Sequence, residues 1–121
     1  MADLVERQLA GSKTVAVVGL STNPERDSYR VARYLKDMGY RIIPVNPTVD
    51  EVLGEKSYPD LKSVPMPIDM VDVFRRSELV PPVVEEAIQV GVKFIWMQDG
   101  VIHEEAAEKA RAAGIPVIMD N

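Results

Sequence analysis

The chain has 121 residues, enough for one domain with a single continuous core and too few for a second domain of ordinary size. Apolar residues make up 46% and charged residues 27%, a globular composition, and the net charge of −5 argues against a nucleic-acid module, which needs clustered positive charge. With no cysteine and one histidine, disulfides, thiolate catalysis and cysteine or histidine metal sites are excluded as readings.

No apolar run approaches the ~20 residues that cross a bilayer, and the N-terminus lacks the order of a signal peptide, so no membrane association and a cytoplasmic location are expected. In chain order, Asp3 to Ala10 reads as a short helix closed by Gly11 as a left-handed cap. Lys13 to Pro24 then gives a β-branched run, Thr14 to Val18, that stops at Gly19 and turns into small polar residues. This is a strand buried on both faces that feeds a loop, with Gly19 expected to let backbone approach a ligand. Ser28 is expected to cap a helix burying Val31, Tyr34, Leu35 and Met38, and Gly39 ends it. The loop N–H groups and the positive end of that helix favour a phosphate.

Arg41 to Val45 is a second strand ending in Asn46-Pro47. Residues Glu51 to Val64 read as a loop with one short helix near Ser57 to Lys62. Asp69 to Phe74 is a third strand, followed by a helix from Ser77 to Val90 with Pro81 and Pro82 in its first turn and Val84, Ala87 and Ile88 on its buried face. Val92 to Met97 is a fourth strand ending in Gln98-Asp99-Gly100, a helix opens at His103 and runs to Ala113, and Ile115 to Met119 is the fifth. Gly11, Gly39, Gly91 and Gly114 each stand at a helix end.

This alternation predicts an α/β fold: a Rossmann-like open parallel sheet of five strands with helices on both faces, in the order 3-2-1-4-5. Ligands of such sheets lie beyond the carboxyl ends of the strands. Arg26, Arg30, Arg33, Arg75 and Arg76 place positive charge at strand ends in an acidic protein. A nicotinamide dinucleotide site would need G-x-G-x-x-G and an acidic residue after the second strand, whereas the chain has Gly19-Leu20-Ser21-Thr22-Asn23-Pro24 and Asn46. A Walker loop fails for want of Gly-Lys-Ser, and a receiver domain fails because Gly19 and Phe74-Arg75 stand where its acidic residues would. His103 reads as a helix cap or an exposed residue, and the glutamates at 85, 86, 104, 105 and 108 read as solvated charge.

The runs Val-Ala-Val-Val-Gly-Leu-Ser, Asn-Pro-Glu-Arg-Asp-Ser-Tyr, Val-Ala-Arg-Tyr-Leu, Gly-Tyr-Arg-Ile-Ile-Pro-Val-Asn-Pro, Asp-Met-Val-Asp-Val-Phe-Arg and Trp-Met-Gln-Asp-Gly-Val closely resemble the small stand-alone CoA-binding proteins, relatives of the CoA-binding domain in the succinyl-CoA synthetase alpha subunit. The resemblance spans most of Lys13 to Asp120. It implies a domain that binds coenzyme A or an acyl-CoA without catalysis, as a sensor or carrier. The alternatives are an NAD(P)-binding oxidoreductase or a CoA-ligase component that needs a partner chain. By the resemblance, Gly19, Leu20 and Ser21 would meet phosphate with charge from Arg26; Asn46 and Pro47 would line the nucleotide side; Phe74 and Arg75 would contact the nucleotide or the pantetheine arm; Gln98 would sit beside the site. The ligand is a small nucleotide, and no protein partner is specified. The chain departs from the family in having no counterpart of the synthetase's phosphorylated histidine and in ending at Asp120-Asn121, where family members commonly continue into a short cysteine-containing segment.

Overall fold

The computed structural model describes residues 10–119, so apart from Ala10 the helix expected over Asp3 to Ala10 lies outside the described residues. The β-branched run forms β1 (Thr14–Val18), in which every residue after Thr14 is buried. Then follow α1 (Asp27–Asp37), β2 (Arg41–Val45), a small antiparallel pair β3 (Glu51–Val52) and β4 (Glu55–Lys56), β5 (Met70–Val73), a 3-10 turn (Ser77–Leu79), α2 (Val80–Val90), β6 (Phe94–Met97), α3 (Glu104–Ala112) and β7 (Val117–Ile118). Strands β2, β1, β5, β6 and β7 pair in that order, all parallel.

The architecture is the expected one, an α/β fold with a Rossmann-like parallel sheet. Val80, Val84 and Ala87 of α2 and Ala106, Ala107 and Ala110 of α3 pack with Ala16, Val18, Val71 and Val73 on one face. Ala32 and Leu35 of α1 pack with Val15, Val17 and Met70 on the other.

The strand order differs from the expected 3-2-1-4-5. The third strand of the sheet, β5, lies beside β1 and not outside β2, so the order is 2-1-3-4-5. Pro44 gives the reason. Its carbonyl points away from β1 and accepts the Tyr58 N–H at 3.0 Å, and its nitrogen, which has no proton, faces the same outer side. A proline there suits an edge strand, whereas an interior strand would lose a ladder hydrogen bond. Residues Met70 to Val73 are buried throughout and take neighbours on both sides.

Two local expectations are also corrected. Between β3 and β4 the chain turns through Leu53 (φ 54°) and Gly54 (φ 77°), the doubly left-handed turn of a two-residue hairpin. Instead of a helix near Ser57 to Lys62, Tyr58 bridges to Val45. Asp60 then closes a turn by accepting the Ser63 N–H at 2.8 Å. In α1 the cap is Arg26, with no side-chain cap bond, and the buried positions are Ser28, Ala32 and Leu35. Tyr34 and Met38 are 62% and 61% exposed, so the stripe is turned away from the one expected and small Ala32 sets the approach to the sheet. Gly39 does end α1: its N–H reaches the Lys36 carbonyl and that of Tyr40 the Leu35 carbonyl, the paired bonds of a Schellman cap.

Candidate functional site

At the carboxyl end of β1 the chain turns at Gly19, whose φ is +86°. A Cβ there would lie 2.2 Å from the Phe74 carbonyl oxygen, because the Gly19 N–H bonds Val45 on one side while the Phe74 N–H bonds Val18 on the other, each at 2.9 Å. The glycine is dictated by the convergence of β2, β1 and β5, so the close approach it permits is to backbone of the fold itself.

Beyond it the loop is shaped by its own polar side chains. Ser28, buried in the first turn of α1, accepts the Ser21 N–H at 3.1 Å instead of capping its own helix. Ser21 Oγ accepts the Asn23 N–H, and Asn23 Oδ1 that of Glu25, both at 3.0 Å. Such side-chain turns use up the local polar groups, and they bring Arg26 to the start of α1. Arg30 stands four residues on and therefore on the same side of the helix.

The resulting cleft has a volume of about 810 Å³ and opens between the start of α1 and the ends of β5 and β6. It gathers Gly19, Ser21, Arg26, Phe74 and Gln98 from the residues the sequence pointed to. It also holds Asp99, next to Gln98 at the end of the fourth strand, and adds Glu25, Asp27, Ser28 and Arg30, which the sequence reading left out of the site. For Arg30 the signal was its four-residue spacing from Arg26.

Leu20, Asn46, Pro47 and Arg75 stand apart from the lining. Leu20 is wholly buried in the core. Asn46 Nδ2 donates to the Leu20 carbonyl at 3.1 Å, while its Oδ1 accepts the Thr48 N–H and hydroxyl at 3.0 and 2.7 Å. It thus ties the end of β2 to the β1 loop. Pro47 is exposed, and Arg75 lies against Gly19, its Cδ 3.6 Å from where a Cβ would be.

Charge is divided around the cleft. Arg26, Arg30 and the N-terminus of α1 supply positive potential, opposed by the carboxylates of Glu25, Asp27 and Asp99 in the same lining, Asp27 lying 3.7 Å from Arg30 in an exposed pair. Behind the opposite wall, Asp72 of β5 is wholly buried. Gln98 Nε2 donates to its Oδ1, and its Oδ2 has no partner among the described residues. Burial raises the Asp72 carboxyl to about 7, with the Gln98 hydrogen bond acting the other way. Asp69, at the far end of β5, has a different fate. Burial pushes it up, but the Lys13 and Thr14 N–H groups and the Lys93 ammonium together hold it below the usual range. It clamps the starts of β1, β5 and β6.

His103 is the N-cap of α3, with Nδ1 accepting the Ala106 N–H at 3.1 Å. Glu86, read as solvated, instead holds the Leu61 N–H at 2.6 Å. Among the described residues no helix is long and apolar enough to cross a membrane, and no cluster of three metal-ligating side chains occurs.

The chain is 47% identical over 116 residues to the Bacillus subtilis protein YneT, covering 96% of this chain and 86% of that protein. It is 35% identical to the Archaeoglobus fulgidus acetate–CoA ligase (ADP-forming) II, over 86% of this chain and only 16% of the ligase. A solved structure of a hypothetical protein from Pyrococcus horikoshii superposes with a TM-score of 0.96 at 38% identity, over 100% of this chain and 85% of that one. The family described as CoA binding domain matches residues 13–121, nearly the whole chain, and the chain belongs to that family.

Proposed function

We propose that this chain binds coenzyme A, free or acylated, in the cleft at the strand ends, and that binding is its task. The observation that carries the reading is the placement of Arg26 and Arg30 one helical turn apart at the start of α1, facing a cleft large enough for a nucleotide. Two guanidinium forks and a helix N-terminus suit the clustered phosphates of CoA. The end of β2 supports CoA over a nicotinamide dinucleotide. An acidic residue there would accept the ribose hydroxyls, and this chain has Asn46 with both ends of its amide engaged in holding loops. A role as sensor or carrier is in keeping with the use of His103 Nδ1 to cap α3.

A second reading, a CoA-ligase component that works with a partner chain, is favoured by the ligase relatives, in which the matched stretch is a small share of the protein. Calorimetric titration with CoA, acetyl-CoA and NAD separates these ideas. CoA or acetyl-CoA should bind and NAD should not. Binding of NAD without CoA would overturn the proposal, and turnover of acetyl-CoA on adding a ligase partner subunit would favour the second reading.

A further inference from the structure

Asp72 is a carboxyl group that the fold has no evident use for. By register it stands between Val17 of β1 and Trp96 of β6, on the α1 side of a central strand. An ionisable group in such surroundings costs stability, and a residue that cannot ionise would avoid that cost. Among the described residues the one hydrogen bond of its carboxyl runs to Gln98, and Gln98 lines the cleft. Asp72 itself is sealed from the cleft, so any effect on a ligand passes through that amide.

The Gln98 backbone is already fixed: its N–H bonds Val73 at 3.3 Å and its carbonyl accepts the Val101 N–H at 2.8 Å. What remains free to choose is which end of the side-chain amide faces inward. Ionised, as at pH 8, the carboxylate only accepts, so it selects Nε2 and turns Oε1 the other way. We propose that Asp72 is a positioning residue that locks the Gln98 amide so that the β6 wall of the cleft offers an acceptor, and that this wall takes an N–H or O–H donor on the neutral part of the ligand. The ligand is thereby read at two ends. Its phosphates lie against Arg26 and Arg30, and an amide, hydroxyl or amino donor lies against Gln98 Oε1 with the Asp99 carboxylate nearby.

This inference rests on the CoA reading, and the test separates the two. In the free protein at pH 8, the Gln98 side-chain amide gives a pair of proton–nitrogen NMR signals. One proton held by a carboxylate should stand downfield, and Asp72→Asn, nearly isosteric, should move it. CoA titrated at pH 8 into the parent, Asp72→Leu, Gln98→Leu and the double variant should show each single change weakening binding roughly five- to tenfold, the worth of one hydrogen bond, whereas Asp72→Asn, whose Oδ1 still accepts from Nε2, should lose less. The double variant should lose no more than either single one, because Asp72 acts only through Gln98. Asp72→Leu binding CoA like the parent, or losses that add in the double variant, would overturn the proposal. Absence of CoA binding by the parent would overturn the CoA reading, and with it the donor-reading wall. The amide signals would then still decide the positioning itself, which fails if Asp72→Asn leaves them unmoved.

Discussion

A carboxyl group shut inside β5 leaves a mark on the pH dependence of folding. Asp72 is raised from 3.8 to about 7 in the folded chain, so between those values the folded state holds a proton that the unfolded state has released. Stability therefore falls as pH rises from about 4 to about 7 and stays low above it. Asp72→Asn should remove that slope and at pH 8 exceed the parent by a few kcal/mol, on the order of 4, while near pH 4 the two should be close. Urea midpoints at the two pH values check this, and equal slopes for parent and variant would show that the carboxyl ionises freely in the fold. Gly19 is the other decisive residue. An alanine there takes a left-handed backbone and drives its methyl into the Phe74 carbonyl, so Gly19→Ala should lose roughly 2 kcal/mol or more, read as a lower urea midpoint. That Gly19 mattered was legible in the sequence; why it mattered was not, because Phe74 is distant along the chain and meets it only through the sheet. The link between Asp72 and Gln98 was not legible either, because it depends on β5 and β6 being neighbours.

Among the elements, α1 has most to do with the ligand. Its apolar spacing was readable as a helix, yet the buried stripe settles on Ser28, Ala32 and Leu35 while Tyr34 and Met38 face out. Aromatic and thioether side chains weigh heavily in a sequence pattern, but the sheet accepts the smaller residues because they let the helix sit closer. Turned this way, the helix directs Arg26 and Arg30 to the cleft. Arg26→Ala and Arg30→Ala should each weaken CoA about tenfold, the effect of one exposed charge-assisted phosphate contact. Arg76→Ala, at an exposed position outside the cleft lining, should leave affinity unchanged. Calorimetry on the three variants decides, and a loss at Arg76 equal to that at Arg26 would refute the assignment.

At the scale of the whole molecule, a ligand bound only by the folded chain should stabilise it by about 2.7 kcal/mol at a hundredfold excess over Kd, roughly a 10 °C rise in Tm for a domain of this size. Scanning calorimetry with and without CoA measures it, with NAD as the ligand expected to leave Tm where it was. The alternation of strands and glycine-ended helices was legible throughout because each step is local. Strand order was not, because it is a choice among distant partners, and the one local clue lay in Pro44. That proline has a further consequence, for what the molecule does in company. An open sheet has two borders, and a border with unpaired peptide groups invites a strand from another chain. Here one border carries a proline and is strapped by Tyr58, and the other is a strand of only two residues, Val117–Ile118. Among the described residues neither gives a template long enough to extend. Copies of this protein, even crowded together, are thereby discouraged from zipping edge to edge, and any lasting association must be written in the side chains of its helices and loops.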